Sequence, residues 1–191
     1  MARPKAFDEE QALEGALNLF WAKGYEATSI QDLVDGLGVN RQSLYDTFGG
    51  KEALYHAALK RYCLQATAPL IRHLRGPAPL RKALRHLFHD TLEHLFSEGH
   101  PCFLAQAALE RVEVDPGAKG FVNHGFRDAR GLFVERIIRA QSEGEVGPHH
   151  DPEALAYFLH NALQGLQITA RAGASRADLE AVVRVTLSVL G

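Results

Sequence analysis

The chain has 191 residues, 46% of them hydrophobic and 23% charged, and a formal net charge of −2. This composition is typical of a folded globular protein and excludes a largely disordered one. Because the net charge is slightly negative, any binding to nucleic acid has to depend on where individual basic side chains lie.

Neither a membrane span nor a secretory signal is predicted. No apolar run approaches the roughly 18 residues that a transmembrane helix needs. The first ten residues, MARPKAFDEE, lack the apolar core of a signal peptide. The two cysteines, Cys63 and Cys102, are too few for a disulfide framework. We therefore expect a reducing, cytoplasmic location.

The first predicted helix runs from about Asp8 to Lys23, and Gly24 ends it. Its apolar stripe consists of Ala12, Leu13, Ala16, Leu17, Phe20 and Trp21. Arg3 and Lys5 precede this helix. They fit a basic arm that follows a phosphate backbone or enters a minor groove, and they fit a solvated terminus equally well.

Residues 28–51 predict two short helices joined by a tight turn. The apolar face of the first helix repeats at i, i+3, i+4 and i+7, as Ile30, Leu33, Val34 and Leu37. Either Thr28 or Ser29 can cap it, and Thr28-x-x-Gln31 fits a capping box. Gly38 follows the last apolar position, where a left-handed glycine ends a helix at little cost.

The second of these short helices begins after Asn40, a good N-cap residue. Val39 and Leu44 fit a hydrophobic staple, which leaves Arg41 and Gln42 on the polar side of the first turn. Arg can bind guanine O6 and N7, and Gln can bind adenine N6 and N7. The pattern indicates either a helix-turn-helix that reads DNA or a helical hairpin with a solvated polar face.

Other polar groups lie near this helix. The hydroxyls of Ser43 and Tyr45 suit phosphate oxygens, and so does Lys51 at the start of the next helix. Asp46 is an unexpected group on a surface that faces DNA. It can accept a hydrogen bond from cytosine N4 or point at water.

Six further helices are predicted after residue 50, and no strand or internal repeat. We expect Pro69 to kink or end the first of them. Asp151-Pro152-Glu153 and Ser175-x-x-Asp178 are strong helix starts. The fold is therefore predicted to be all-α with nine helices, the last six at about 51–69, 80–98, 103–111, 118–142, 152–172 and 176–190.

The N-terminal third resembles the TetR family of bacterial transcription regulators. The matching run is A-L-x-L-F-x-x-x-G-Y-x-x-T-S-I-x-D-L-x-x-x-L-G-V-x-x-x-S-L-Y-x-x-F-x-x-K-E-A-L. The resemblance implies a nine-helix TetR-like fold with a three-helix DNA-binding head, residues 1–50, and a ligand-binding and dimerisation body, residues 51–191. It also implies a homodimeric repressor that binds a palindromic DNA operator and that a small-molecule effector releases from it.

Seven residues match positions with which the family contacts DNA. Arg41, Gln42 and Ser43 match its base-reading positions. Tyr45 and Lys51 match phosphate-contacting positions. By the same resemblance Thr28 contacts a phosphate, while Gln31 reaches a base unless it folds back as the capping-box partner.

The eighth and ninth predicted helices carry much apolar surface, which the resemblance assigns to a four-helix dimer interface. The alternative is that both faces are buried in the core of a single subunit. Several side chains could line an effector cavity, although aromatic residues at helical spacing are more often plain core. These candidate ligand-binding residues are Tyr62, Phe88, Phe96, Cys102, Phe103, Phe126, Phe158 and Gln164, with His124 and His160 as further polar contacts.

The histidines and cysteines of the chain offer signals for other function classes. His86-x-x-His89 and His149-His150 suggest a metal sensor, but no Cys/His quartet is present. Cys102 lies near His100 and could be a redox sensor or an inert buried thiol. An enzyme is the alternative from another class, yet no Ser-His-Asp order, Glu-x-x-His pair or phosphate loop is found. We therefore expect no catalytic residue, metal or cofactor.

Overall fold

The computed structural model describes residues 7–190, except for the side chain of Glu98. Within this range the chain forms nine α-helices and no strand, which confirms the predicted all-α fold. No helix in the described part of the chain combines the length and the apolar character that crossing a bilayer requires. The helices are α1 (Glu9–Lys23), α2 (Ile30–Leu37), α3 (Arg41–Phe48), α4 (Lys51–Leu74), α5 (Leu80–Glu98), α6 (Phe103–Glu110), α7 (Pro116–Ser142), α8 (Pro152–Arg171) and α9 (Arg176–Ser188).

Contacts divide the chain into two compact units. Unit 1 contains the chain up to Gln65 together with Phe103–Asn123, and unit 2 contains Ala66–Cys102 together with the chain from His124 onwards. The division therefore falls inside α4 and α7, and α6 belongs to the same unit as the helix-turn-helix. The predicted domain boundary after residue 50 stays a prediction, because these units follow contacts and not the order of the chain.

Helix α4 continues through Pro69 to Leu74, so the proline does not end the helix, and a kink there, the other expectation, stays a prediction. Proline removes one backbone hydrogen bond from a helix interior. Leu70 and Leu74, which follow it, are both buried in the core of unit 2. Their burial offsets the lost hydrogen bond, and the helix continues.

Side-chain N-caps are present at four helices, and those at Asn40, Asp151 and Ser175 were predicted. The side chains of Asp8, Asn40, Asp151 and Ser175 each accept a backbone N–H at the start of α1, α3, α8 and α9. Such a cap satisfies one of the four free N–H groups in the first turn. These local signals fix where the helices begin.

The capping box of α2 differs from the expected one by one residue. Ser29 is the cap and Asp32 is its partner, instead of Thr28 and Gln31. Lys23 Nζ also donates to Asp32 at 2.6 Å. The bond from Lys23, followed by those from Ser29, lowers the pKa of the Asp32 carboxyl. The N-terminus of α2 is thus held by an ionised carboxylate.

Two glycines allow α1 and α2 to lie close together. A Cβ on Gly15 would be 2.7 Å from Leu37 Cδ2, and one on Gly36 would be 2.8 Å from Leu19 Cδ1. Helix α2 in turn packs on α3, whose Leu44 is fully buried. The position of α3 is therefore fixed by close packing.

An aromatic cluster forms the rest of the unit 1 core. The Tyr55 ring of α4 lies edge-on to Phe20 of α1 and to Phe103 of α6, at centroid distances of 5.1 and 5.6 Å. Tyr62 meets Phe103 and Trp21 in the same way, at 5.7 and 5.1 Å. Edge-to-face pairs of this kind stabilise beyond their buried area. They join three helices around the helix-turn-helix.

The core of unit 2 lies among α5, α7, α8 and α9. Helices α5, α8 and α9 pack on one another. The apolar face predicted for α9 is mostly used here, since Leu179, Val183, Leu187 and Leu190 are buried in the core of this subunit. Val182, Val185 and Val189 remain exposed on the same helix.

A histidine is buried in unit 2. His160 of α8 is 4% exposed, and the Phe126 and Phe133 rings lie 5.3 and 6.4 Å from it. Burial, followed by the charge of Arg130, lowers its pKa to about 4. The Gln164 amide nitrogen lies 3.3 Å from His160 Nε2. The neutral ring can accept a hydrogen bond from that amide.

We expect His160 to make stability depend on pH. Between pH 6.5 and about 4 the unfolded chain protonates this histidine and the folded protein does not. The free energy of unfolding should therefore fall as pH drops through this window, with a contribution that approaches about 1.4 kcal/mol per pH unit. Urea unfolding at stepped pH should show a shallower dependence for His160→Gln. The control is His124→Gln, which replaces an exposed histidine of α7 that is paired with Asp128, and it should keep the wild-type slope. Equal slopes for all three proteins would contradict the assignment.

Candidate nucleic-acid interface

Helix α3 presents a polar face to solvent. Arg41, Gln42, Tyr45 and Asp46 are exposed, whereas Leu44 on the opposite side is fully buried. Its first turn, which carries Arg41 and Gln42, is free of packing. A helix with this arrangement can enter a major groove N-terminus first.

Both glutamines among the predicted DNA contacts are bonded to an aspartate one turn later. Gln42 Nε2 donates to Asp46 Oδ1 at 2.7 Å on α3. Gln31 Nε2 donates to Asp35 Oδ1 at 2.8 Å on α2. Gln31 is therefore exposed and does not fold back as a capping-box partner. The two amides share the same i, i+4 geometry.

The predicted phosphate contacts differ in their surroundings. Tyr45 is 43% exposed, and its ring lies against Gly50, where a Cβ would be 3.2 Å from Tyr45 Cε1. Lys51 Nζ lies 4.1 Å from the centre of the Tyr25 ring, a cation–π contact. Ser43 is half-buried, and its backbone N–H is used by the Asn40 cap. Tyr45 is thus the most open of the three.

The structure corrects the expectation for Thr28. This residue is fully buried, and its hydroxyl donates to the Gly24 carbonyl at 2.6 Å. A side chain in this position cannot contact a phosphate in this conformation. It closes the bend between α1 and α2. The basic arm expected at Arg3 and Lys5 lies outside the described residues.

The bend between α1 and α2 is held by α6. Glu110, the last residue of α6, accepts the backbone N–H groups of Tyr25 and Glu26 at 3.0 and 2.7 Å. Hydrogen bonds to an ionised acceptor are stronger than those between neutral groups. We call this contact, Glu110 with Tyr25 and Glu26, the loop clamp.

Arg111 reinforces the loop clamp. Its guanidinium donates to Glu26 at 2.6 Å and lies 4.0 Å from the centre of the Tyr25 ring. It also lies 3.5 Å from Asp115. Burial raises the pKa of the Tyr25 hydroxyl, against the opposing effect of Arg111. A planar guanidinium suits this combined stacking and ion pairing.

Asp115 links the clamp to α4 and α7. It accepts the Ala118 N–H at 2.9 Å in the first turn of α7 and pairs with His56 of α4 at 2.9 Å. Burial disfavours the charged carboxylate, but the Ala118 and His56 bonds outweigh it, so the pKa of Asp115 is lowered. Sequence reasoning missed this whole cluster, although adjacent Glu110 and Arg111 at a helix end were a visible signal.

The predicted ligand-binding residues do not form one group. Tyr62 and Phe103 belong to the aromatic cluster of unit 1. Phe96 and Phe158 are 44% and 42% exposed on unit 2, so lining a closed cavity there is wrong for both. The reason is that not every apolar position of an amphipathic helix is buried, and the sequence pattern alone does not show which of them stay exposed.

The remaining candidates lie in unit 2. Phe88 and Cys102 are buried, whereas Phe126 and Gln164 meet at His160. Gln164 Oε1 is buried without a hydrogen-bond partner. A cleft in unit 2 contains none of the candidates, and its lining is Pro79, Leu80, Arg81, Glu145, Val146 and Leu190. Among the described residues no three His, Cys, Asp or Glu side chains are placed to hold a metal ion.

Two family models match the chain. Residues 12–58 match the model described as "Bacterial regulatory proteins, tetR family". Residues 76–186 match that described as "Tetracyclin repressor-like, C-terminal domain". Together they cover the helix-turn-helix and most of unit 2.

Relatives and solved structures agree with these matches. The uncharacterized HTH-type transcriptional regulator YezE of Bacillus subtilis is 33% identical, with 100% of both chains covered. The HTH-type transcriptional repressor ComR of Escherichia coli is 34% identical over 97% of this chain and 90% of its own. A cysteine mutant of the TetR family regulator CifR, complexed with a 26-bp operator DNA, is 30% identical, with a TM-score of 0.89 and 100% of both chains covered.

The loop clamp can be tested by Glu110→Gln. The substitution keeps the shape but leaves one acceptor oxygen for two backbone N–H groups, so one bond to the bend should be lost and the other weakened, at a cost of about 1–3 kcal/mol. Amide hydrogen exchange should show faster exchange at Tyr25 and Glu26, together with a lower free energy of unfolding. Glu113→Gln, exposed just beyond α6, is the control. Unchanged exchange at the bend would show that the clamp does not hold it.

Proposed function

The chain belongs to the TetR family of bacterial helix-turn-helix transcriptional regulators, and on this premise we propose that it is a homodimeric repressor that a small-molecule effector releases from a palindromic operator. A bacterial repressor of this kind acts in the cytoplasm, where its DNA lies. We propose no enzymatic activity, since the relatives named above are regulators.

The exposed polar face of α3 is the observation that carries the DNA-binding assignment. Arg41 and Gln42 extend from its first turn, where recognition helices contact base edges. We assign Arg41, Gln42 and Ser43 to base reading, with Gln31 of α2 beside them, and Tyr45 and Lys51 to phosphates. The similar regulator CifR has been solved with operator DNA bound, which supports this assignment.

Two subunits are needed for a specific site. A helix of eight residues contacts few bases, and a two-fold dimer doubles the contacts on a palindrome, with half-sites about 34–36 Å apart. We propose that the dimer forms through α8 and α9. Both helices leave large apolar side chains exposed. The exposed set is Tyr157, Phe158 and Ile168 on α8 with Val182, Val185 and Val189 on α9.

For the effector we propose a small, partly aromatic molecule bound in unit 2 near His160. Phe126 offers a ring beside His160, and the buried Gln164 Oε1 offers an acceptor without a partner. An unpaired buried acceptor costs free energy that a ligand donor would recover. Helix α7 carries Phe126 and begins at Pro116, directly after Asp115, which pairs with Arg111. A shift of α7 is therefore our proposed route from effector to DNA release.

Arg41→Ala tests base reading. Loss of one bidentate base contact should cost about 1–3 kcal/mol and relax the preference at one base pair of each half-site. Binding should be measured by gel shift on an operator selected from random DNA and on its single-base variants. Arg72→Ala, 67% exposed in unit 2, should bind like wild type. Equal weakening on every sequence would make Arg41 a phosphate contact instead.

Val185→Asp tests the dimer. Val185 is 68% exposed on α9, so a charge there leaves the subunit core intact and opposes burial against a partner. Analytical ultracentrifugation should show a shift from dimer to monomer with an unchanged circular dichroism spectrum. Leu109→Asp places the same charge on α6, at a residue 83% exposed, and should stay dimeric. A dimeric Val185→Asp variant would place the interface elsewhere.

A further inference from the structure

The amide of Gln42 is held in one orientation by a neighbouring acid. Its Nε2 donates to Asp46 Oδ1 at 2.7 Å, one turn further along α3. Both side chains are exposed, so no packing forces them together. The bond uses one of the two amide hydrogens. It leaves Gln42 with one free N–H donor and the free acceptor Oε1.

This arrangement matches some base edges better than others. In the major groove adenine offers the N6 amino donor beside the N7 acceptor, which complements one acceptor and one donor on Gln42. Guanine offers only acceptors, N7 and O6. To bind both of them, Gln42 would need both amide hydrogens and would have to release Asp46.

The carboxylate of Asp46 also favours adenine over guanine. Asp46 is exposed, and the remaining lone pairs of its carboxylate attract an amino group and repel a carbonyl or ring-nitrogen acceptor. Exocyclic amino groups in the major groove belong to adenine and cytosine. A negative charge here also lies close to where phosphates would come, so it weakens binding to every duplex.

We propose that Asp46 is a specificity-determining residue, which positions Gln42 to favour adenine over guanine at one base pair of each half-site and whose own carboxylate favours the amino groups of adenine and cytosine over guanine there. This inference rests on the proposed function, because it requires α3 to lie in the major groove. It explains the acid on the DNA-facing surface as a loss of overall affinity in return for discrimination.

The chain contains its own control for this arrangement. On α2, Gln31 Nε2 donates to Asp35 Oδ1 at 2.8 Å, with both residues exposed. Asp35→Ala therefore removes the same charge and frees the same kind of amide on a neighbouring helix. It should raise affinity for all sequences and leave the preference at the Gln42 base pair unchanged.

The test measures affinities of full-length wild type, Gln42→Ala, Asp46→Ala, Asp46→Asn and Asp35→Ala. The probes are a duplex selected by the wild type and its single-base variants at every position, titrated by fluorescence anisotropy at fixed salt. The position of Gln42 is the base pair whose preference Gln42→Ala removes. There, Asp46→Ala should reduce the wild-type preference over guanine by roughly five- to tenfold.

Asp46→Asn separates the hydrogen bond from the charge. The Asn side-chain oxygen can still accept from Gln42, so this variant should keep most of the preference while it binds all sequences more tightly. All these positions are exposed, so the variants should melt like wild type.

The outcomes are distinct. Unchanged preference in Asp46→Ala, or a change at a base pair that Gln42→Ala does not affect, would overturn the positioning role. Loss of preference in Asp46→Asn as complete as in Asp46→Ala would also overturn the positioning role, because it would assign the preference to the charge alone. If the wild type selects no sequence at all, the proposed function fails, whatever the Asp46 variants do.

Discussion

Glu110 supplies an acceptor that the bend between α1 and α2 cannot provide for itself. The Tyr25 and Glu26 amides fall where neither helix offers a carbonyl, and both donate to this one carboxylate. Backbone groups left without partners are costly, so a bend of this shape needs an outside acceptor. Once the bend is fixed, Thr28 can bury its hydroxyl against Gly24 and α2 begins in one place. Because α3 packs on α2, the orientation of the helix assigned to DNA reading depends on a residue of α6.

The loop clamp also explains why α6 belongs to unit 1, although α6 lies some 80 residues after the bend in the sequence. Aromatic edges from Phe103 and the ion pairs of Arg111 add to it. Any force that displaces α6 or the start of α7 acts on charged, partly buried bonds, which are directional and break over short distances. A clamp built from charge-assisted bonds therefore suits a switch with two discrete states.

The helix-turn-helix could be predicted from sequence because its signals are local. Asn40, Gly38 and the Val39–Leu44 staple are within a few residues of the structure that they specify. The capping box was displaced by one residue because Thr28 and Ser29 are chemically equivalent caps, and only burial of Thr28 decides between them. The loop clamp could not be predicted, since the residues that it joins are separated by 84 and 85 positions in the sequence. The burial expected of Phe96 was wrong for a related reason: Phe96 and Phe88 lie on one helix with similar periodic neighbours, yet Phe96 is exposed and Phe88 is fully buried.

Net charge is a poor guide to DNA binding because several acids of unit 1 are already paired locally with cations. Asp32 is paired with Lys23, Glu26 with Arg111, and both Glu10 and Glu14 with Arg61. Such pairs cancel at distances beyond the Debye length of about 8 Å at physiological salt. A DNA phosphate therefore interacts mainly with the charged side chains around α3, where Arg41 is exposed and Asp46 is the nearby acid. Since few cations lie around α3 in the described part of the chain, counterion release supplies only part of the affinity. Binding then has to depend on base contacts that each of two subunits makes. This is the physical reason why a protein with a short recognition helix needs a second subunit related by a two-fold axis.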